Sequence, residues 1–422
     1  MRKPRVLLIT QWFDPEPTFK GLLFARELVK QGFDVEVLTG FPNYPGGKVY
    51  AGYRIRPIQR ERIDGVEITR VALYPSHNQS AIGRVANYAS FALSVILYGV
   101  LRARRPDVIY AYHPPLTVGI AAAVIKAVRR VPVLYDIQDL WPDTLRVTGM
   151  IGNPRVLSIV GAVCRWVYRR MDRIAVLSPG FKRILIERGV PDEKLDVIYN
   201  WADEAAVGDA GTAPPPGFPT EGFRVLFAGN IGKAQALDAV LDAATLLLER
   251  GSRARLVFLG GGVEVTRLSA RATELGLVNV VFLPPVPMSQ VGAYLNSADA
   301  LLVHLRKDPL FRITIPSKTQ AYMAVGKPIV MGVEGDAADL VTLASCGAVV
   351  EPESPGDIAE GIEHLAGLPK NSLETMGCNA RAYYDRELSV ESGSTRFALI
   401  LRQLGVPSTA HLVSRDRKEV VD

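Results

Sequence analysis

The sequence predicts an α/β protein with two halves, each a parallel sheet covered by helices. Short apolar runs rich in β-branched residues alternate with longer segments of helical periodicity, which is the pattern of βαβ units. The alternation stops over residues 201–222 and then restarts. With 422 residues the chain is long enough for two or three domains, so two separate sheets account for the pattern.

The composition is that of a globular protein. Apolar residues make up 48% and charged residues 22% of the chain, which excludes collagen-like, low-complexity and disordered classes. A net charge of +6 allows anionic partners, but no basic run is interleaved with aromatics, so we expect no nucleic-acid partner. Cys164, Cys346 and Cys378 have no paired spacing, which favours free thiols in a reducing compartment.

Six apolar runs predict the strands of the first half. Each is followed by a segment of helical length, as expected for strands buried on both faces of a parallel sheet. These strands are expected at residues 5–10, 34–39, 107–112, 132–137, 173–178 and 195–200. One helix has an apolar stripe that is expected to face the sheet. The stripe consists of Val156, Ile159, Val160, Val163 and Val167.

The boundary between the halves is predicted in segment 201–222. This segment has no periodicity and contains three consecutive prolines, which is typical of a stiff linker. The first domain is therefore expected over residues 1–200 and the second over residues 223–385. Strands of the second are expected at residues 223–229, 255–260, 279–284, 300–305, 328–333 and 347–351. Residues 406–422 are polar and without a stripe, so we expect a frayed tail.

One segment of the first half, residues 85–101, has no charged side chain and is bounded by arginines. It is shorter than the roughly 20 residues of a membrane-spanning helix. Three interpretations stay open: a buried helix of the α/β domain, a helix that dips into a membrane surface, and a true span. The flanking arginines favour contact with anionic lipid if the helix is exposed.

The loop after the first strand of the second half is a candidate phosphate site, because ligands of doubly wound sheets bind beyond the carboxyl ends of strands. The run GNIGKAQALD places Gly229, Asn230, Gly232 and Lys233 before a helix, where backbone N–H groups and one cation can hold a phosphate. The run lacks both the Gly-Lys-Ser/Thr ending of a P-loop and the GxGxxG fingerprint. A plain strand-to-helix turn is the alternative.

Two further strand ends of the second half are candidates. The run FLGGG supplies Gly260 and Gly261, for close approach of a ligand or for a tight turn. The run IPSKTQAYMAVGKP places Ser317 as an N-cap and Lys318 at the start of a helix that stops near Gly326. A lysine at the positive end of a helix dipole predicts an anion such as a diphosphate beside it. A solvated lysine that points away is the alternative.

The strand ends of the first half carry polar and aromatic side chains. His113 directly follows the strand DVIYAY and has either a structural or a ligand-contacting role. The next strand ends in YDIQDLWP, which offers carboxylates, an amide and an indole to sugar hydroxyls. The side chains concerned at this strand end are Asp136, Gln138, Asp139 and Trp141. In the first loop, QWFDPEPTFKG, they are Trp12, Phe19 and Lys20 beside Gly21.

Together these blocks resemble the retaining glycosyltransferases of family four. The resemblance covers about residues 5 to 405, and its most specific pieces are HPPLTVG, YDIQDLWP, GNIGKAQALD and IPSKTQAYMAVGKPIV. They are similar to the subgroup that makes bacterial surface polysaccharides, including N-acetylfucosamine-type transferases. The resemblance implies the GT-B fold, with two facing Rossmann-like domains and a last helix, over residues 386–405, that crosses back to the first domain. A stripe of Phe397, Ile400, Leu401 and Leu404 fits this helix.

The resemblance implies a hexosyltransferase. It would move an N-acetylated or deoxy hexose from a nucleotide diphosphate, expected to be UDP, to a lipid-linked saccharide. The implied donor contacts are Gly229, Asn230, Gly232, Lys233, Gly260, Gly261, Ser317 and Lys318. The implied acceptor contacts are Phe19, Gly21, Gln138 and Trp141. The candidate catalytic residues are His113, Asp139 and Lys233.

We expect neither a cofactor nor a metal, because no Asp-x-Asp pair is present and the nucleotide sugar is a substrate. The apolar run VLLIT near the N-terminus is shorter than a signal-peptide core. The expected location is therefore the cytoplasm, peripheral to the inner face of the bacterial inner membrane.

The chain departs from the family pattern at several positions. Many relatives have two glutamates where Ile313 and Ala321 stand, and the later one holds the nucleotide ribose. Gln138 stands where a histidine is usual and cannot transfer a proton as an imidazole does. These departures keep a non-catalytic sugar-nucleotide-binding subunit open as an alternative. A sugar-nucleotide 2-epimerase, which shares the GT-B fold, is another.

Overall fold

The computed structural model describes residues 2–76, 81–147, 149–208 and 214–405, and the predicted tail over 406–422 lies outside them. The chain forms two compact units. The first contains the residues up to Leu177, Lys182–Ile198 and the chain from Ser394, and the second contains Ser178–Phe181 and Tyr199–Gly393. Each unit is built around one sheet.

The sheet of the first unit has eight strands in the order β3-β4-β2-β1-β5-β6-β7-β8. Its strands are Arg5–Ile9 (β1), Asp34–Gly40 (β2), Ile58–Ile63 (β3), Val66–Val71 (β4), Val108–His113 (β5), Val133–Ile137 (β6), Arg173–Val176 (β7) and Leu195–Val197 (β8). All neighbours are parallel except β3 and β4. The six predicted strands are confirmed, and the strand order reverses at β1, between β2 and β5.

The pair β3 and β4 was not predicted from the sequence. Strand β3, with the sequence IQRERI, lies at the edge of the sheet and has four consecutive polar residues between two isoleucines, without a buried face. It pairs antiparallel with β4 through a tight turn in which Asp64 and Gly65 both have positive φ. Such a two-residue hairpin matches strand twist, so an edge strand can form without core burial. The prediction of a purely parallel sheet is therefore wrong at this edge.

Helices cover the first sheet on both faces. They are Leu22–Lys30 (α1), Ala81–Leu101 (α2), Leu116–Arg129 (α3), Asp143–Val147 (α4), Pro154–Arg170 (α5) and Pro179–Glu187 (α6). The predicted stripe of α5 is wrong in its first part. Val156 and Ile159 are exposed, and the buried face passes through Gly161, Cys164 and Val167. Valine alone does not mark the inner face, since Gly161 and Cys164 are buried while Val156 is exposed.

The sheet of the second unit has six parallel strands in the order β11-β10-β9-β12-β13-β14. Its strands are Phe223–Ala228 (β9), Ala254–Leu259 (β10), Val280–Leu283 (β11), Ala300–His304 (β12), Ile329–Gly332 (β13) and Gly347–Val349 (β14). All six were predicted. Its helices are Glu204–Val207 (α7), Asp238–Glu249 (α8), Val265–Glu274 (α9), Met288–Ser297 (α10), Ser317–Val325 (α11), Asp336–Ala344 (α12), Pro355–Gly367 (α13) and Lys370–Tyr383 (α14).

The described part of segment 201–222 packs in the second unit. Trp201 and Phe218 are buried there, and α7 follows Trp201 directly. The hydroxyl of Tyr384 donates to Glu204 at 2.8 Å, which ties α7 to the turn after α14. The segment thus contributes to a core, in addition to connecting two sheets.

The last helix, Val390–Gly405 (α15), contributes its residues from Ser394 onward to the first unit. Phe397 and Leu401 are fully buried. The ring of Phe397 packs edge-on against Phe24 of α1 and Tyr110 of β5, with centroids 5.3 and 5.5 Å apart. The stripe predicted for this helix is confirmed at these positions.

Candidate functional site

The strand order of the second sheet reverses at β9, between β10 and β12, and the loop after β9 is the predicted phosphate site. Gly229 has a φ of 124°, which favours glycine, and Asn230 and Lys233 are exposed. A short 3₁₀ turn, Lys233–Gln235, follows, and the Gln235 side chain accepts from the Gly232 N–H at 3.0 Å. The loop therefore has a fixed backbone with exposed polar side chains.

The glycines of the FLGGG run have a packing role. A Cβ at Gly260 would lie 2.0 Å from the carbonyl oxygen of Gly229, and one at Gly262 would lie 2.1 Å from that of Ile231. The two strand-end loops touch backbone to backbone, and the Ile231 N–H donates to the Gly261 carbonyl at 2.8 Å. Gly260 and Gly262 are required by this contact, whereas a Cβ at Gly261 would meet only ordinary contacts. The close approach that Gly260 and Gly262 allow is thus between two loops of the protein.

Lys318 lies across the end of β9. Its Nζ is 4.4 Å from the centre of the Phe227 ring, and a Cβ at Gly229 would lie 3.3 Å from the same Nζ. Burial lowers the pKa of Lys318 to about 8. Among the described residues, Lys318 has no carboxylate partner and no hydrogen bond. A half-buried ammonium next to the N-terminus of α11 is repelled by the helix dipole, and an anion bound there would remove this repulsion.

The prediction that Ser317 caps α11 is wrong. Pro316 occupies the N-cap position, and no side chain caps the helix. Ser317 is the first helical residue and is exposed. The first N–H groups of α11 are therefore left without a side-chain cap, as at helix ends that bind anions. The predicted end of the helix is confirmed, since Gly326 has a φ of 74°.

Two side chains that sequence reasoning missed hold these loops in place. The hydroxyl of Tyr322, one turn after Lys318, accepts from the Ala228 N–H at 2.9 Å and so fixes α11 to the end of β9. The ring of His304 connects two loops. Its Nδ1 lies 2.7 Å from the Gln235 carbonyl, and its Nε2 accepts from the Glu353 N–H at 3.1 Å. This pattern requires a neutral ring with the proton on Nδ1, and burial lowers the pKa of His304 accordingly.

The two positions at which the resemblance implies glutamates carry apolar side chains. Ile313 and Ala321 are half-buried, and Ala321 packs against the core of the second unit. Neither side chain can accept a hydrogen bond.

In the first unit, His113 is buried beneath two rings. Its centroid is 5.6 Å from that of Trp141 and 5.9 Å from that of Tyr135, both edge-on. Burial lowers the pKa of His113 to about 3, and its Nδ1 has no hydrogen-bond partner within the described ranges of the chain. The imidazole is therefore neutral near pH 7, and any ligand contact has to be made by an uncharged ring.

A charged network lies beside His113 at the ends of β5 and β6. The carboxylate of Asp136 accepts from the Tyr110 hydroxyl at 2.5 Å and from the Gln138 amide at 2.6 Å. Burial raises the pKa of Asp136, and the opposite charge of Lys20 counteracts this. Lys20 is fully buried, and burial lowers its pKa to about 8. Gln138 is thus engaged with a neighbour in the fold.

The other predicted residues of the first unit differ in accessibility. Phe19 is exposed, and Asp139 and Trp141 are half-buried; burial raises the pKa of Asp139. Gly21 is buried, and a Cβ there would lie 2.2 Å from Oδ2 of Asp14. That oxygen accepts from the Leu22 N–H at 2.6 Å at the start of α1. Gly21 is therefore explained by local packing.

A further polar group in the first unit joins Trp12 of the predicted first loop to residues that were not predicted, namely Tyr44, Asn43 and Asn87. Trp12 and Tyr44 stack with ring centroids 4.5 Å apart after β1 and β2, and both are accessible. Asn87 of α2 lies behind them and bonds to the Gln11 and Asn43 side chains at 2.5 and 3.3 Å. Aromatic faces beside amides are suited to binding sugars. The loop after β2, FPNYPGG, carries the signal, because it ends a strand next to the point where the strand order reverses.

Comparison with known proteins agrees with a chain that is built from two α/β units. Residues 22–201 match the family described as "Glycosyl transferase 4-like domain", and residues 212–383 match "Glycosyl transferases group 1". The chain is 27% identical to WcaI of Escherichia coli K12, named for colanic acid biosynthesis, over 91% of this chain and 96% of that protein. It is 24% identical to the glycosyltransferase WbjE of Pseudomonas aeruginosa, over 78% and 83% of the two chains.

Solved structures show the same fold at low sequence identity. HepE of Anabaena in complex with UDP has a TM-score of 0.66 at 17% identity and covers 94% of this chain and 100% of that chain. WaaG, a glycosyltransferase of lipopolysaccharide biosynthesis, has a TM-score of 0.61 at 15% identity over 94% and 99% of the two chains. The fold is therefore GT-B. The two family matches together span most of the sequence, and the chain belongs to the glycosyltransferases of family four.

Proposed function

We propose that the chain is a retaining hexosyltransferase that uses a UDP-linked sugar as donor and a lipid-linked saccharide as acceptor, without a metal. The transferred sugar is an N-acetylated or deoxy hexose, such as N-acetylfucosamine. The second unit binds the donor, and the first contacts the acceptor.

The observation that carries the proposal is Lys318. Its ammonium group is half-buried on Phe227 and has no carboxylate partner in the part of the chain that the structure describes, and it lies against Gly229 at the start of α11. The diphosphate of a nucleotide sugar is an anion of the right kind for this place, since helix N-termini and lysines both stabilise phosphate charge. Asn230 and Lys233 are exposed on the neighbouring loop and complete the donor contacts with Gly232, Ser317 and the backbone of Gly260 and Gly261.

The relatives support the nature of the substrates. HepE was solved with UDP, which supports uridine as the base. WcaI and WaaG are named for colanic acid and lipopolysaccharide biosynthesis, which supports a growing saccharide as acceptor. The N-acetylfucosamine-type donor is proposed from the sequence blocks alone.

The proposed reaction needs no protein nucleophile. The bond between the anomeric carbon and the diphosphate oxygen breaks, and the acceptor oxygen bonds to the same face of that carbon. The acceptor proton passes to the leaving diphosphate. Lys233, Lys318 and the α11 N-terminus stabilise the charge that grows on the leaving group, which is the electrostatic part of catalysis that a metal supplies elsewhere.

In the first unit we assign acceptor contacts to accessible side chains. Phe19, Asp139 and Trp141 reach solvent. His113 packs beneath Trp141 as an uncharged ring, and Gln138 is held by its hydrogen bond to Asp136. Asp139, whose pKa burial raises, is suited to bind an acceptor hydroxyl.

The experiment compares two lysines at opposite ends of α11. Binding of UDP, GDP, ADP and dTDP is measured by calorimetry, and transfer is then measured with the UDP-sugar and a polyprenyl-diphosphate sugar. Lys318→Met and Lys233→Ala should each lower kcat/KM about 100- to 1,000-fold, as loss of one transition-state donor does. Lys327→Met is the control, because Lys327 is half-buried with a lowered pKa but follows the C-terminal end of the helix.

Normal transfer by folded Lys318→Met would overturn the assignment. A second function is favoured by the apolar side chains of Ile313 and Ala321, namely binding of the nucleotide sugar without transfer. UDP binding with no transfer to any acceptor of the panel would favour that function. Conversion of the nucleotide sugar without acceptor would indicate an epimerase.

A further inference from the structure

Helix α2 presents an apolar stripe to solvent. Every fourth residue from 85 to 101 is apolar and exposed, over a length of about 24 Å. The exposed fractions of the four larger residues are 65% for Val85, 58% for Leu93, 52% for Leu97 and 72% for Leu101, and Ala89 completes the series. The outward face of a surface helix is normally polar, so a continuous apolar stripe marks an interaction surface.

The opposite face of α2 holds the helix on the first unit. Phe91, Val95 and Tyr98 are buried, and the Tyr98 hydroxyl donates to Glu36 of β2 at 2.9 Å. Within the described residues, α2 is the one helix long and apolar enough to cross a membrane by length and composition. A helix fixed along one face to a sheet cannot also be surrounded by lipid. Of the three interpretations, a helix that contacts a membrane surface along its outer face therefore fits both the buried inner face and the exposed outer face.

Arginines stand at both ends of the stripe. Arg84 precedes Val85, and the exposed Arg102, Arg104 and Arg105 follow Leu101. The end of α3 adds two more, because Arg129 donates to the carbonyl of Ala103 and is followed by the exposed Arg130. The segment 81–101 contains no acidic residue. Arg104 pairs with Glu67 at 3.5 Å, but this ion pair is solvent-exposed and compensates little of the arginine charge.

The charged residues of the whole chain are also unevenly distributed between its two halves. Residues 1–200 have 29 Lys and Arg against 17 Asp and Glu, whereas residues 201–422 have 20 against 26. The basic charge thus belongs to the half that carries the stripe. This asymmetry favours an anionic surface as the partner of α2.

We propose that the outer face of α2 docks in the plane of an anionic lipid surface, with the stripe among the acyl chains and the arginines at the headgroups. Apolar side chains and basic residues act together in such contacts. A second copy of the chain fits less well. Because arginines stand at both ends of the stripe, pairing two α2 helices in either direction would bring arginines against arginines.

The inference extends the proposed function, which puts the acceptor sugar on a lipid. The inner side of α2 carries Asn87, which bonds to Gln11 and Asn43 beside the Trp12 and Tyr44 rings. Docking along α2 would hold these strand-end loops close to the headgroups, where a lipid-linked saccharide projects. Vesicle binding needs neither donor nor acceptor, so the docking and the reaction can fail separately.

The experiment is flotation of the full chain with vesicles of phosphatidylcholine alone or with about one third phosphatidylglycerol. We expect binding to the anionic vesicles that weakens at high salt. Leu93→Ser with Leu97→Ser should lower the partition constant at least about tenfold, because two leucines no longer bury in lipid. Arg102→Gln and Arg105→Gln should each lower it about fivefold. Leu343→Ser is the control, since Leu343 is 71% exposed on α12 of the second unit.

Thermal unfolding of each variant checks that the fold is kept. Binding of the stripe variant equal to that of the native chain would overturn the proposal, as would an equal loss in the Leu343→Ser control. Absence of vesicle binding would also overturn it. If sedimentation instead showed a dimer that the stripe variant abolishes, the face would be a contact between copies of the chain.

Discussion

The two units differ in whether the buried charges at their strand ends are compensated by other residues. In the first unit, the buried Lys20 and Asp136 compensate each other, and Tyr110 and Gln138 satisfy the carboxylate. In the second, Lys318 lies half-buried on an aromatic ring, and no carboxylate of the described ranges pairs with it. A buried charge with an internal partner is part of the fold, whereas one without a partner marks the place where a ligand supplies the opposite charge.

The largest expected effect comes from removing the Asp136 carboxylate from the charged network of the first unit. Asp136→Asn should lower the free energy of unfolding by about 3–5 kcal/mol, because it removes the carboxylate charge that favours the buried ammonium of Lys20. Nucleotide binding at 25 °C should be unchanged while the chain stays folded. Denaturant titration and calorimetry with UDP measure the two quantities.

Asp34→Asn is the control for this change, since Asp34 pairs with Arg5 in the same sheet with about a third of its side chain exposed. That pair should contribute less than about 1 kcal/mol. Equal losses for the two variants would show that the Asp136 network contributes no more than a surface pair and would remove the contrast between the units.

The next effect is the pH dependence of stability. The pKa of His113 in the folded chain, about 3, lies below its ordinary value near 6.5, so the unfolded chain binds this proton more readily. Its contribution to stability is complete above pH 6.5 and is lost as the pH falls towards 3. Between pH 7 and pH 5 the loss should be about 2 kcal/mol. His304, whose pKa is also lowered, acts in the same direction.

The check is the slope of unfolding free energy against pH for the native chain and for His113→Phe, which keeps an aromatic ring against Trp141 and Tyr135. The variant should show a smaller slope between pH 7 and pH 5. An unchanged slope would mean that His113 is not the group that takes up the proton on unfolding.

The smallest expected effect compares two buried tyrosines of the second unit. Tyr322→Phe leaves the Ala228 N–H without its hydroxyl partner and should cost about 1–3 kcal/mol of stability. Tyr384→Phe removes hydrogen bonds to Ala202 and Glu204 and should cost a similar amount. Because only Tyr322 fixes α11 to the end of β9, only its loss should weaken UDP binding. Equal affinities for the two variants would contradict the positioning role of Tyr322.

Much of the fold follows from the sequence, because strands buried on both faces leave a clear apolar run. All twelve strands predicted in this way are present. The hairpin of β3 and β4 could not be found by the same signal, since an edge strand such as IQRERI is held by hydrogen bonds to one neighbour and needs no apolar run. The stripe of α5 failed because the choice of buried face depends on which neighbour packs against it.

The candidate site was found in part. The strand-end rule led to Gly229, Lys233 and Lys318. It did not lead to Tyr322, which lies inside α11, and His304 was overlooked although it is the last residue of β12. The rule also could not separate Gly260, held by contact with another loop, from a glycine that approaches a ligand.

By itself the sequence determined where the strands and their connecting loops lie, that two sheets form, and that α2 is apolar between arginines. These are local properties, because they depend on the spacing of side chains along the chain. Only the tertiary structure decided which buried charges meet a partner and which face of α2 is left to solvent. Those outcomes depend on residues far apart in the sequence, since Lys20 lies 116 positions from Asp136 and Lys318 lies 89 positions from Gly229. Pairing over such separations is set by the packing of the sheets, which no local pattern records.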